Sequence, residues 1–164
     1  MMRRKDRQAD ENFALEIVDS CSYATVSMVM PDGRPYGIPL SIVRMDGFLY
    51  FHCAPRGKKL DALLACPQVS VACVGRVRPL KNEFTTEYES AIVDGTAVRV
   101  TDHDEKVRAL RAICLRYTPD HMDAFEDAVR ESLHRTDLWR IEIQAITGKR
   151  KLYDSEGREI KSGL

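Results

Sequence analysis

The sequence predicts a mainly β, α+β domain, an antiparallel barrel with helices packed outside it. Three observations carry that reading. Two turn signals, Pro31-Asp32-Gly33-Arg34 and Asp46-Gly47, separate strand-like runs, and Asp-Gly between such runs is a strong short-range hairpin signal. Trp139, Ile141, Ile143 and Ala145 alternate as a half-buried strand does. The elements also come in blocks, helix, three strands, helix, two strands, two helices, strand, rather than as βαβ units.

Each element has a local reason. Asp10 can cap a helix over 11–20, with Phe13, Ile17 and Val18 on its apolar side. Strands are expected over 23–30, over 35–44 and over 48–53, a meander that prefers to close into a small barrel. A helix over 57–66 is stopped by Pro67. Strands over 69–77 and 87–100 follow, Gly95 marking a bulge or a close approach. Thr101-Asp102-His103-Asp104 reads as a capping box, and Val107, Leu110, Ile113 and Cys114 give that helix a buried stripe. Thr118-Pro119 starts the next helix with Pro in its first position. The last strand is expected to stop near Gly148. Residues 1–150 form one domain, and 151–164 a charged tail, flexible or folded as a solvent-side hairpin.

The chain has 164 residues, with 25 Lys and Arg against 25 Asp and Glu. Zero formal charge disfavours non-specific binding to nucleic acid or to anionic membrane. No apolar run is long enough for a membrane helix, and the basic opening leads into Asp6, Asp10 and Glu11 rather than a signal peptide. The cysteines, Cys21, Cys53, Cys66, Cys73 and Cys114, are odd in number and show no C-x-x-C pair. That argues against a disulfide framework and for a reducing cytoplasm.

The segment Phe48–Leu63 holds the densest candidate chemistry. Its strand ends at His52, and the helix that follows opens with Arg56, Gly57, Lys58 and Lys59. Cations at a helix N-terminus are disfavoured by about 0.3–1 kcal/mol each. Together with the open N–H groups they describe an anion site, most simply for phosphate, the alternative being a solvated basic turn. His52 is either a substrate or anion contact or a histidine at the core edge. His103, His121 and His134 read as surface residues. No cluster has metal-ligand spacing, so no metal is expected. Cys53 and His52 point to opposite strand faces, which disfavours a Cys–His nucleophile. Thr147-Gly148-Lys149 lacks the upstream glycine and the following Ser/Thr of a triphosphate loop. With no paired carboxylates, Ser/His/Asp set or dinucleotide fingerprint, an enzyme built on this chain would take its chemistry from a cofactor.

Several segments in register carry a resemblance. They are Gly33-x-Pro35-Tyr36-x-x-Pro39-Leu40, Leu49-Tyr50-Phe51-His52-x-Ala54-x-x-Gly57-x-Lys59, Tyr88-Glu89-Ser90-x-x-x-x-Gly95 and Ile146-Thr147-Gly148-Lys149. Over roughly residues 3–150 the chain resembles the pyridoxamine 5'-phosphate oxidase-like flavin-binding split barrels, on the branch of the 5-nitroimidazole resistance proteins. The resemblance implies a split β-barrel of six or more antiparallel strands, a homodimer, and FMN at the subunit interface. It implies that Lys59, with Lys58 and Gly57, holds the phosphate. Thr25, Val26 and Ser27, with Pro39, Leu40 and Ser41, would line the flavin ring through backbone groups. Ser90 would lie near the cofactor, Trp139 and Lys149 would come from the partner, and His52 would sit by the flavin as the catalytic residue.

Two functions from different classes are consistent with this. One is an oxidoreductase passing electrons from a nicotinamide donor through FMN to a small acceptor such as a nitroaromatic. The other is a non-catalytic flavin- or heme-binding or storage protein. True pyridoxamine phosphate oxidation is disfavoured, because that branch's substrate-binding arginines are not placed in this sequence.

Overall fold

In the computed structural model, which describes residues 2–161, strands begin and end largely at the turn and cap residues. The elements are β1 (Gln8–Ala9), α1 (Glu11–Ser20), β2 (Ala24–Val29), β3 (Pro35–Leu40), β4 (Val43–Met45), β5 (Phe48–Cys53), α2 (Lys58–Ala65), β6 (Gln68–Leu80), β7 (Thr85–Arg99), α3 (His103–Tyr117), α4 (Phe125–Ser132), β8 (Asp137–Tyr153) and β9 (Glu159–Ile160). Asp10 caps α1 by accepting from the Phe13 N–H at 2.8 Å. Asp46 (φ 52) and Gly47 (φ 82) both take positive φ, as a type I′ hairpin turn requires.

The nine strands form one curled antiparallel sheet in the order β3-β2-β6-β7-β8-β5-β4, with β1 and β9 pairing with β8. This is a split-barrel α+β fold. The expected strand over 35–44 is in fact two strands, β3 on β2 and β4 on β5, at opposite ends of the sheet path. Only Ser41 and Ile42 join them, so the sheet has to curl to bring its ends together. The Tyr117 hydroxyl at the end of α3 holds this link. It donates to the Ile42 carbonyl at 2.9 Å and accepts from the Ile42 N–H at 3.1 Å.

The main core lies inside the curl. Val26, Leu49, Phe51, Val71, Val93 and Ile141 meet there under α1 and α2. A second core, with Tyr50, Val100, Ala109, Ile113 and Leu138, packs α3 against the outside of β4–β5–β8. Tyr50 and Arg140 both bind Glu105 near the start of α3, at 2.8 and 3.0 Å. Gly95 is a close-approach point: a Cβ there would lie 2.5 Å from the Glu142 carbonyl oxygen, and the β7/β8 register shifts at Asp94/Gly95.

Other boundaries differ from the sequence reading. Strand β8 runs through Gly148 because that glycine serves helix packing and not termination: a Cβ would meet Phe13 at 3.0 Å and Ala14 at 3.2 Å. Asp102, and not Thr101, caps α3, its carboxylate accepting from the Glu105 N–H at 2.7 Å. Pro119 opens a 3-10 turn kinked at His121, so regular helix begins only at Phe125. Through residue 161 the charged tail takes the hairpin form, β9 returning on β8. Arg7 clamps it through Glu159 at 2.6 and 3.0 Å, which holds the Glu159 carboxyl near pKa 2. Residues 162–164 of that tail lie outside the described residues.

Replacing Tyr117 by Phe should destabilise the fold by about 1–3 kcal/mol, because it leaves the buried Ile42 N–H without an acceptor. Chemical denaturation of the two proteins checks this; equal midpoints and slopes would show that the link does not need the hydroxyl.

Candidate functional site

The basic loop and α2 begin where β5 ends. Gly57 adopts φ 124, a conformation side chains rarely take. Its carbonyl accepts from the N–H groups of Leu60 at 2.9 Å and Asp61 at 3.2 Å. No side chain caps the helix, so first-turn N–H groups remain open to an external acceptor. Arg56, Gly57, Lys58 and Lys59 line a cleft of about 230 Å³ with Tyr36 and Cys53. A second hollow continues from Tyr36 and Lys58 toward Arg34 and Met30.

The loop cations are not neutralised internally. Arg7, Arg44, Arg78, Arg99 and Arg140 all have carboxylate partners. Among the described residues Arg56, Lys58 and Lys59 have none. Lys59 is half-buried, its Nζ lying 5.6 Å from the Phe51 ring centroid, and burial holds its pKa below 10.5. An anion in the cleft would supply the missing counter-charge.

His52 does not line this cleft; Cys53, one residue on and facing the other way, does. The imidazole keeps an open surface at the strand end. Crowding by neighbouring atoms, and secondarily the charge of Lys59, hold its pKa below 6.5. It is therefore mainly neutral at pH 7.

A second part of the site is the outer face of the sheet. Cross-strand pairing sets two rows there: Pro39, Thr25, Ala72, Ile92 and Thr147, and beside it Gly37, Ser27, Ser70, Asp94 and Ala145. Val74, Ser90 and Lys149 continue it. Most of these side chains are small, and no helix covers them. Val29, Val74 and Ile92 are 42%, 55% and 39% exposed. A groove of about 480 Å³ passes Ser27, Ser70 and Asp94. Strand β3 joins the two regions, since Tyr36 borders the cleft while Gly37 and Pro39 belong to the face.

The structure thus brings together Thr25, Ser27, Pro39, Ser90 and Lys149 on one face, and Gly57, Lys58 and Lys59 in the adjoining cleft. It separates others. Val26 is fully buried in the core, and Leu40, paired with Ala24, lies on the inward side. Ser41 belongs to the link after β3. The expected backbone contacts from 25–27 are corrected: β2 is paired on both sides, so the ladders already use its backbone groups. Of β2 and β3, only the edge strand β3 has an open side. Trp139 is also corrected. It is 3% exposed and pairs with Phe51 across the ladder, so it is a core residue with no surface to offer a partner subunit. Its Nε1 is buried without a hydrogen-bond partner among the described residues. Lys149 lies 5.8 Å from the Tyr88 ring centroid on the outer face.

Tyr36 and Cys53 are cleft residues the sequence reading did not assign. Period-2 alternation from Pro39 and from Phe51 would have placed both on their faces, but not the helix start beside them. Among the described residues no group of His, Cys, Asp and Glu could hold a metal ion, and no helix is long and apolar enough to cross a membrane.

Over residues 10–150 the sequence matches the pyridoxamine 5'-phosphate oxidase family, and the chain belongs to it. Similar solved structures agree on the fold. A candidate 5-nitroimidazole antibiotic resistance protein from Bacteroides thetaiotaomicron is 24% identical with TM-score 0.72, the alignment covering 86% of this chain and 84% of that one. The FAD and heme binding protein from Mycobacterium smegmatis is 22% identical with TM-score 0.75, over 96% and 84%. A flavocytochrome from Azotobacter vinelandii is 19% identical with TM-score 0.77, over 100% and 83%. Among curated proteins no sequence match is found.

The proximity of Lys59 to His52 is testable without a ligand. In Lys59→Gln, the His52 titration followed by NMR should move upward toward 6.5, because a cation that opposes protonation is gone. An unmoved midpoint would show that the two residues are not electrostatically coupled.

Proposed function

We propose that this chain is a homodimeric FMN-binding flavoprotein acting as an oxidoreductase on small molecules. The observation that carries the reading is the uncompensated cationic start of α2, open to a cleft that adjoins an uncovered face of small side chains. The named binding of flavin by structural neighbours supports the choice of ligand. A single cradle of three cations and open N–H groups suits one terminal phosphate, hence a mononucleotide.

In this reading Lys59 and Lys58 hold the phosphate with the N–H groups that follow Gly57. Thr25, Ser27, Pro39 and Ser90 form the small-residue surface against which a flat ring can lie. A second copy would close over that surface and cover Val29, Val74 and Ile92, since apolar pockets with few polar groups form readily at such junctions. When bound, the flavin supplies hydride acceptance from a nicotinamide donor and electron transfer to a small acceptor such as a nitroaromatic. Lys149 on the face adds positive potential, which favours a reduced, anionic ring. His52 is the proton donor, and its depressed pKa makes the protonated form scarce at neutral pH and a strong acid when present. Five free cysteines fit a reducing cytoplasm.

Titrating the purified protein with FMN, followed by quenching of flavin fluorescence, should give one flavin per subunit. Lys59→Ala should weaken binding about 10- to 100-fold, the roughly 1.5–3 kcal/mol of a hydrogen bond to a charged group. His52→Ala should keep the flavin and lower NAD(P)H-dependent turnover, most where protonated His52 is needed. A heme spectrum in place of flavin binding, or unchanged FMN affinity in Lys59→Ala, would overturn this reading.

A further inference from the structure

The end of the outer face away from Lys149 holds a charge the proposed flavin chemistry does not use. The β2/β6 ladder ends at Ser27–Ser70, yet β2 runs on to Val29 and β6 begins at Gln68. The two strands part there, and a groove of about 480 Å³ opens. Its other wall comes from an irregularity in β8. Asp94 pairs with Ala145 and Gly95 with Ile143, so Gln144 is one residue too many for the ladder. A bulge of this kind re-aims a side chain. The Gln144 side chain crosses to β7, where its Nε2 donates to Thr96 Oγ1 at 2.9 Å, and it lines the groove together with Asp94.

Among the described residues Asp94 is the one charged group lining this groove, and it has no cationic partner. Asp19, Glu87, Asp137 and Glu159 each have one. Lys149 on the same face pairs with Ser90, four residues before Asp94. At about 3.3 Å per residue that is roughly 13 Å along β7, beyond the screening length of about 8 Å at physiological salt. Ser27, Ser70 and Asp94 follow one another across the strands. Their hydroxyls and carboxylate, with the Gln144 Oε1, are hydrogen-bond acceptors. Val29 and Pro35 add apolar surface. A bare metal ion does not match this set: one carboxylate is too few ligands, and no group of His, Cys, Asp and Glu among the described residues could hold one.

We infer that the groove is a binding site for a small planar organic cation, an amidine or a protonated amino-heterocycle, whose N–H groups pair with Asp94. A planar N–H fork can meet both carboxylate oxygens at once, and a flat ring can lie along the parted strands against Val29 and Pro35. The row of Ser27, Ser70 and Asp94 adjoins the row proposed to face the flavin ring. The groove is therefore the place of the substrate; that role rests on the flavin reading, whereas binding in the groove does not.

The test titrates the full chain, without flavin, with benzamidine and with its uncharged counterpart benzamide, followed by amide NMR shifts. Benzamidine should shift Ser70, Asp94 and Gln144 and bind more tightly than benzamide. Asp94→Asn keeps the size of the side chain and should weaken benzamidine roughly fivefold, the upper end for an exposed ion pair, while leaving benzamide unchanged. Asp94→Glu should restore most of the preference. Equal affinity for the two compounds, or benzamidine binding unchanged in Asp94→Asn, would overturn the inference. So would shifts centred on the hollow between His103 and His134. Groove shifts that follow protein concentration without benzamidine would give the groove to a second copy and overturn it too. An FMN titration of the same chain separates the two readings: benzamidine bound in the groove with no FMN binding would keep this inference and remove the flavin reading.

Discussion

The two residues between β3 and β4 constrain everything else in this molecule. The strands they join lie at opposite ends of a seven-strand path, so a flat sheet is impossible once both pair as they do. The curl that results puts Val26, Phe51, Val71 and Val93 on its inside and leaves their alternating neighbours outside. Tyr117 answers both backbone groups of Ile42 with one hydroxyl, which ties the seam to α3. The seam thereby bridges the two cores, Ile42 lying in the main one and Tyr117 packing on the second, and the end of β5 is fixed where α2 must start.

That geometry assigns different chemistry to different regions. One half of the barrel wall, β4–β5–β8, is covered by α3. The other half, β3–β2–β6–β7, has a helix-free exterior of small residues. The cationic cleft falls between them, next to the edge strand, because α2 leaves β5 just there. Neither half alone contains the candidate site: the cations come from the loop after β5, and the flat surface comes from strands formed earlier and later in the chain.

Much of this was legible in the residues. Asp10, Asp46-Gly47 and Pro67 fix local geometry within a few positions, and they placed α1, the second hairpin and the end of α2. Gly57 and its flanking cations stood out because they oppose the helix dipole, and among the described residues none of these cations has a carboxylate partner. What was not legible depends on long-range pairing. No local signal at Ser41 says that one extended run serves two neighbours. Gly148 looks like a terminator until α1 is seen packing on it. Trp139 sits one strand from the candidate loop, but its burial follows from pairing with Phe51. The inward turn of Val26 and Leu40 follows from alternation, yet which face would stay bare was set by where α3 came to rest.

The edge strands have a further consequence. β3, which borders the cleft, carries Pro35 and Pro39, and β4 is only three residues long. Proline contributes no N–H to a ladder, and a short strand offers little to pair with. The margins of the sheet are thus poor templates for a foreign strand, even though β3 keeps an open side beside the cleft. A barrel left incompletely closed to admit a ligand would ordinarily risk recruiting other chains strand by strand. Here the opening is bordered by residues that offer a foreign strand few hydrogen bonds, which disfavours growth into cross-β aggregates.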